Sequence, residues 1–371
     1  MPDLCPSVSS PIRYSDRGVG LLLGGALCAL LGASQPADAL VIMPSFDTSW
    51  TMPGGAPAAA TTVVNNVIAA YQADFSNPVT IKIAFGWGEL NGTPQTSGAA
   101  TTFAAADFPP PFGAAGLTLA QVKAAYATAV GAAGATQVLV TANTNLPATY
   151  PNPGGSTTFF VPDAEYKALT GGALNADPID GFTGYATDGN FCSTGPACPY
   201  DYSGGPPAAG AIDFTAVVEH ELSHAMSRVD YAFNNSNGVP TPNQPPPFLT
   251  PQDFFRYQDI AGTCNTTLEP RFNVACFSYD GGATNPGPRT FSNSSDSGDW
   301  INAANDSFNA FIARGEFASV STADILLMCA EGWNDRAVCG TPAVAAPEPG
   351  TLALLGTSLL GFAALRRRWR Q

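Results

Sequence analysis

A chain of 371 residues with 15 basic and 29 acidic side chains carries a net charge of −14 and a pI of about 4.3. That balance argues against nucleic acid and anionic membranes as partners and favours solubility outside the cell. Arg13 and Arg17 precede the apolar run "GVGLLLGGALCALLGA", and Ala37-Asp38-Ala39 follows it. A basic region, an apolar segment too short for a comfortable span and a small-x-small site read as a signal peptide over residues 1–39. Its removal and that of the arginine-ended tail take away more basic than acidic residues, so the body is more acidic still.

The body is long enough for one large domain or two subdomains. Apolar residues at helical spacing in "PAAATTVVNNVIAAYQADF" predict a helix over Pro57–Phe75. The alternation in Val79-Thr80-Ile81-Lys82-Ile83 predicts a strand. Residues 91–116 read as a loop, and "LTLAQVKAAYATAVGAA" as a helix capped by Thr118. "STTFFVPDAEY" (156–166) and "IDGFTGYATDG" (179–189) read as short strands, with a Gly/Pro-rich loop over 188–211. Asp213 is a suitable N-cap for "FTAVVEHELSHAMSR". The proline-rich "NNSNGVPTPNQPPPFLTP" is a surface connector, and 253–340 holds short aromatic stretches between turns. "STADILLMCAEGW" predicts a last helix, Ser321–Trp333, capped by Ser321 or Thr322.

Six cysteines remain after the leader: Cys192 and Cys198, Cys264 and Cys276, Cys329 and Cys339. In an exported protein these three sequence-local pairs read as disulfides, with other connectivities open. A cysteine-only zinc site is disfavoured, since no C-x-x-C occurs.

The chain's two histidines both lie in Val217–Asp230, "VVEHELSHAMSRVD". Four residues apart on a helix, His220 and His224 project from one face and can share one ion. Glu221 lies about 100° around the helix, where it reaches a water on the metal rather than the metal itself. One Zn²⁺ per chain suits two imidazoles and a position open for catalysis, with Glu221 as the proton acceptor. The alternative is a solvated helix face with no metal. No third histidine exists. In the H-E-x-x-H-x-x-G-x-x-H pattern the third ligand comes six residues after the second histidine, which here is Asp230. The stretch thus resembles a metzincin motif ending in aspartate, departing from it at Ser227, where metzincins have glycine. Asp253 and Tyr257, in "TPQDFFRYQD", are the alternatives; a surface acid and a packing tyrosine are their structural readings. Met328 could form a methionine turn beneath the metal or simply fill the core. The acidic loops "SYDGG" and "SSDSGDW" could hold calcium but lack regular ligand spacing and read as solvated turns.

At the C-terminus, Pro347-Glu348-Pro349 is followed by the apolar Leu352–Leu365 and a tail with Arg366, Arg367, Arg368 and Arg370. The order resembles the PEP-CTERM sorting signal of Gram-negative bacteria. That resemblance implies export, transient inner-membrane anchoring, processing by an exosortase-like partner, and a place at the cell surface or in an exopolysaccharide matrix. Read together, "EHELSHAMSR", "TPQDFFRYQD", "CFSYDGG", "SDSGDW", "DSFNAF" and "STADILLMCAEGW" resemble a family of secreted HExxH zinc metalloproteases with PEP-CTERM tails. The likeness covers about residues 57–334.

These readings give an α+β, metzincin-like zinc protease fold with a twisted sheet and helices above the active-site helix. Residues 40–226 would form the N-terminal subdomain and 227–340 a disulfide-tied, loop-rich C-terminal one. A linker with the PEP motif (341–349) and the sorting helix and basic tail (350–371) follow. The expected function is a zinc-dependent endopeptidase acting on protein or peptide substrates. The rivals are an inactive protease-like matrix or surface protein and a hydrolase of other amides or esters.

Overall fold

The computed structural model describes residues 39–95, 100–104, 116–132, 134–151, 158–174, 178–187, 198–230, 249–287, 289–301 and 303–341. The signal peptide, most of the proline-rich connector, Cys192, the PEP motif and the sorting helix lie outside them.

The first half builds a four-stranded sheet from β1 (Val41–Phe46), β2 (Thr80–Trp87), β3 (Ala100–Ala104) and β4 (Gly181–Tyr185). The order is β1-β2-β4-β3, with β1, β2 and β4 parallel and β3 antiparallel along the β4 edge. β2 alternates as its sequence predicts, with Ile81, Ile83 and Phe85 buried. Between β1 and β2 runs α1 (Ala58–Asp74), whose Ala60, Val63, Val64, Val67, Ile68 and Tyr71 make the buried stripe that its spacing predicts. β3 falls inside the expected 91–116 loop.

Three helices follow on the route to β4. α2 (Leu119–Gly131) starts on a capping box between Thr118 and Gln121, as the Thr118 cap predicts. α3 (Gln137–Asn145) was not legible, because Val, Thr and Asn are middling helix formers. It is held by Thr136, whose hydroxyl accepts from the Leu139 N–H, and by burial of Val138, Leu139 and Ala142. α4 (Asp163–Thr170) replaces much of the strand expected over 156–166, of which Thr158–Phe159 is the part that is strand among the described residues. Pro162 presets the entry, Asp163 and Glu165 suit the helix N-terminus, and left-handed Gly171 (φ 71°) ends it.

α5 (Phe214–Met226) carries both histidines. Asp213 caps it, its carboxylate accepting from the Thr215 and Ala216 N–H groups. The helix packs on β3, β4 and α1, and the Tyr71 hydroxyl donates to the Glu219 carbonyl (2.9 Å).

Beyond the connector lies a second, antiparallel sheet of β5 (Arg256–Ile260), β6 (Thr263–Leu268), β7 (Ala275–Phe277) and β8 (Thr290–Phe291), in the order β6-β5-β7-β8. Ala261 and Gly262, both at positive φ (54° and 83°), close the β5–β6 hairpin. α6 (Thr322–Ala330) begins on the predicted Ser321 cap but stops short of Trp333, where Gly332 turns at φ 104°. Disulfides join Cys264 to Cys276 and Cys329 to Cys339, and Cys198 is also disulfide-bonded.

The fold is mixed α/β. Residues of both expected subdomains share one hydrophobic core: Val217, Val218 and Leu222 belong with Phe277, Phe291, Trp300 and Met328. α5 is therefore central to the core.

Candidate metal centre

On α5 the i, i+4 spacing brings His220 Nε2 and His224 Nε2 to 3.0 Å. The third group is Asp299, from the loop "SDSGDW": its Oδ1 lies 3.4 Å from His220 Nε2 and 3.1 Å from His224 Nε2. Among the described residues these are the one His/Cys/Asp/Glu group with three ligand atoms converging within 4.8 Å. A tetrahedral zinc with bonds near 2.0–2.1 Å requires ligand–ligand edges of about 3.3 Å. The three observed edges bracket that value.

The opposite ring nitrogens are also fixed. His220 Nδ1 donates to the Ser307 carbonyl (2.8 Å) and His224 Nδ1 to the Arg228 carbonyl. A carbonyl can only accept, so both Nδ1 atoms carry a proton and both Nε2 atoms face Asp299. This is how outer partners orient imidazole ligands.

Asp230 does not join them. The chain leaves α5 through Ser227 at φ −169°, an extended value that needs no glycine. It carries Asp230 to Arg256 on β5, where Oδ2 and Nη1 meet at 2.7 Å with both side chains fully buried. Gly298 packs on the backbone of residues 228–230, a contact that sets the Asp299 loop over the end of α5. Asp253 accepts from the Thr250 N–H (2.6 Å) and the Tyr150 hydroxyl (3.2 Å), and Tyr257 is a buried residue of β5. Neither is in the converging group. In the other acidic loop, Asp280 is engaged within its own turn by Ser278 and Thr284.

Glu221 is turned towards β3, where its Oε2 accepts from the Thr102 hydroxyl at 2.5 Å. Burial raises its pKa, with His224 and the Thr102 bond pulling the other way. Burial lowers the His220 pKa to about 3, so this imidazole is neutral and free to ligate. For His224, burial and Arg228 both lower the pKa, but Asp299 outweighs them and the net shift is upward. Burial alone would raise the Asp299 pKa; His220 and Arg228 hold it below the usual carboxylate range.

Arg228 was not picked out from the sequence. Its guanidinium is fully buried, 4.4 Å above the Phe308 ring, and every N–H is used. Nε donates to Ser223 Oγ (2.8 Å), Nη1 to the Gly298 carbonyl (3.1 Å) and Asp299 Oδ1, and Nη2 to the His220 carbonyl (3.2 Å) and His224 Nε2 (2.9 Å).

Met328 is buried beneath the end of α5, its Sδ 3.6 Å from Ser227 Oγ. Ser227 also bonds Glu331 Oε2 (2.6 Å) and receives the Trp333 indole N–H (3.0 Å). Burial lifts the Glu331 pKa to about 7, and burial together with Glu331 lifts that of Glu165 well above its usual range. A carboxyl whose pKa rises on folding contributes stability below its unfolded pKa and loses it as pH climbs through the folded one. From pH 6 to 8 in chelator, the melting temperature of Glu331→Gln should therefore fall by about 3 °C less than that of wild type. Parallel curves in circular-dichroism melts would refute the assignment.

Residues 345–368 match the PEP-CTERM protein-sorting motif. The motif marks the protein for recognition by exosortase-like machinery, with a transient C-terminal membrane anchor and then a surface or extracellular location in Gram-negative bacteria. Among the described residues no helix is long and apolar enough to cross a membrane. No curated protein and no solved structure matches the chain.

Proposed function

We propose that the protein is a zinc-dependent endopeptidase of metzincin-like design, acting outside the cell or at its surface. The observation that carries the reading is the convergence of His220 Nε2, His224 Nε2 and Asp299 Oδ1, with Glu221 beside them but not among them. Two imidazoles and one carboxylate are an accepted catalytic zinc set.

Bound there, zinc would supply a Lewis acid that polarises the scissile carbonyl and brings the pKa of a water towards neutrality. Glu221 accepts the proton of the attacking water at its carboxylate and passes it to the leaving amine. Its raised pKa suits both tasks. Thr102 fixes the carboxylate from the antiparallel strand β3, and Met328, within the helix α6 rather than a turn, packs against Ser227 at the end of α5.

The test is the zinc content of the purified protein beside His224→Ala, followed by a peptide-cleavage screen. About one zinc per chain, absent from the variant, together with cleavage by wild type is the expected result. A wild type with no stoichiometric metal would end the reading.

A second reading, a non-catalytic matrix or surface protein, has one observation in its favour. The Arg228 guanidinium donates to His224 Nε2, the atom that catalysis needs for zinc.

A further inference from the structure

We propose that Arg228 and a metal ion compete for the same lone pair on His224, so that Arg228 is an internal competitor that weakens metal binding and lets the site fold before it is loaded. The inference rests on the metal-site reading above.

An imidazole that donates from Nδ1 has a single in-plane lone pair left, on Nε2. His224 donates from Nδ1 to the Arg228 carbonyl and receives the Arg228 Nη2–H at Nε2, so one residue grips both ring nitrogens. A bond from Nε2 to a metal uses that same pair and excludes the hydrogen bond. Arg228 can give up this bond without leaving, because Ser223 Oγ, the Gly298 carbonyl, Asp299 Oδ1 and the His220 carbonyl still hold its other N–H groups.

Charge points the same way. Asp299 is buried, and a buried carboxylate without a partner is costly. The guanidinium neutralises it, so the cluster is satisfied on its own and folding need not wait for metal. That cation also repels a second one at the same carboxylate. A protein threaded through a membrane and folded outside gains from such a site.

Removing the competitor leaves the ligands in place. The Asp299 backbone is pinned by Ser292 N–H donating to the Asp299 carbonyl (2.8 Å) and Trp300 N–H donating to the Phe308 carbonyl (3.0 Å). Arg228→Met keeps the length of the side chain and deletes its charge and donors.

The experiment is a competitive zinc titration of the full chain, wild type against Arg228→Met. Hydrogen bonds to charged groups are worth about 1.5–3 kcal/mol, so the variant should bind roughly 10–100-fold more tightly. Equal or weaker binding by the variant overturns the proposal while leaving the zinc site standing. Zinc bound by the variant alone supports the competition and ends the zinc-enzyme reading. No binding by either overturns both. Should Arg228→Met fail to fold, wild type labelled with ¹⁵N-histidine and ¹⁵N-arginine decides. With two histidines in the chain the imidazole signals are readily assigned. Zinc should move His224 Nε2 and Arg228 Nη together; an Arg228 Nη signal that zinc leaves unmoved overturns the proposal.

Discussion

On the proposed function, Glu221→Gln should lower the rate of peptide cleavage by about 10²–10⁴-fold while zinc stays bound at about one per chain. The amide keeps the shape of the side chain and can still accept from Thr102, so the contact between α5 and β3 is undisturbed. What it loses is the capacity to take a proton from the attacking water. Because Glu221 is outside the converging ligand group, metal content separates this defect from loss of the site. A Glu221→Gln protein that cleaves as fast as wild type would remove the proton-transfer role. Peptide hydrolysis absent from both would favour the matrix protein.

Local patterns were legible in the sequence, and long-range ones were not. The stripe of α1, the alternation of β2 and the caps at Thr118, Asp213 and Ser321 are set by residues a few positions apart, and each stands in the structure. His220, Glu221 and His224 belong to the same class, because one helical turn contains all three. Asp299 could not be read in this way. It is separated from His224 by 75 residues and a second sheet, and no spacing rule links a loop carboxylate to a helix. What places it is packing: Gly298 rests on the backbone after α5, and Trp300, buried behind it, donates from its indole N–H to Asp324 (2.6 Å). Asp230 misled for the complementary reason. Its spacing fits a pattern whose glycine turn the chain lacks, and a buried arginine on β5 offers its carboxylate a stronger claim. Arg228 left one usable sign: a scarce basic residue directly following the motif, in a chain with 15 in all.

Asp299→Asn and Asp230→Ala should differ in metal content. The first keeps a carbonyl oxygen facing Arg228 but removes the anionic ligand, so zinc affinity should fall by more than the roughly 10–100-fold that losing an outer-shell partner costs. Its melting temperature without metal should also fall, because the buried Arg228 guanidinium loses its anion, although the amide oxygen and the bonds to Ser223, Gly298 and His220 lessen the loss. The second leaves the Arg256 guanidinium buried without its anion. Breaking such a pair costs about 3–5 kcal/mol, a drop of roughly 10 °C in melting temperature for a domain of this size. Below that lowered transition its zinc content should match wild type, because Asp230 contributes no atom to the converging set. Metal analysis on the two variants therefore separates a ligand from a fold anchor. Zinc lost from Asp230→Ala and kept by Asp299→Asn would restore the six-residue spacing as the guide to the third ligand, and with it a site built on α5 and its exit alone.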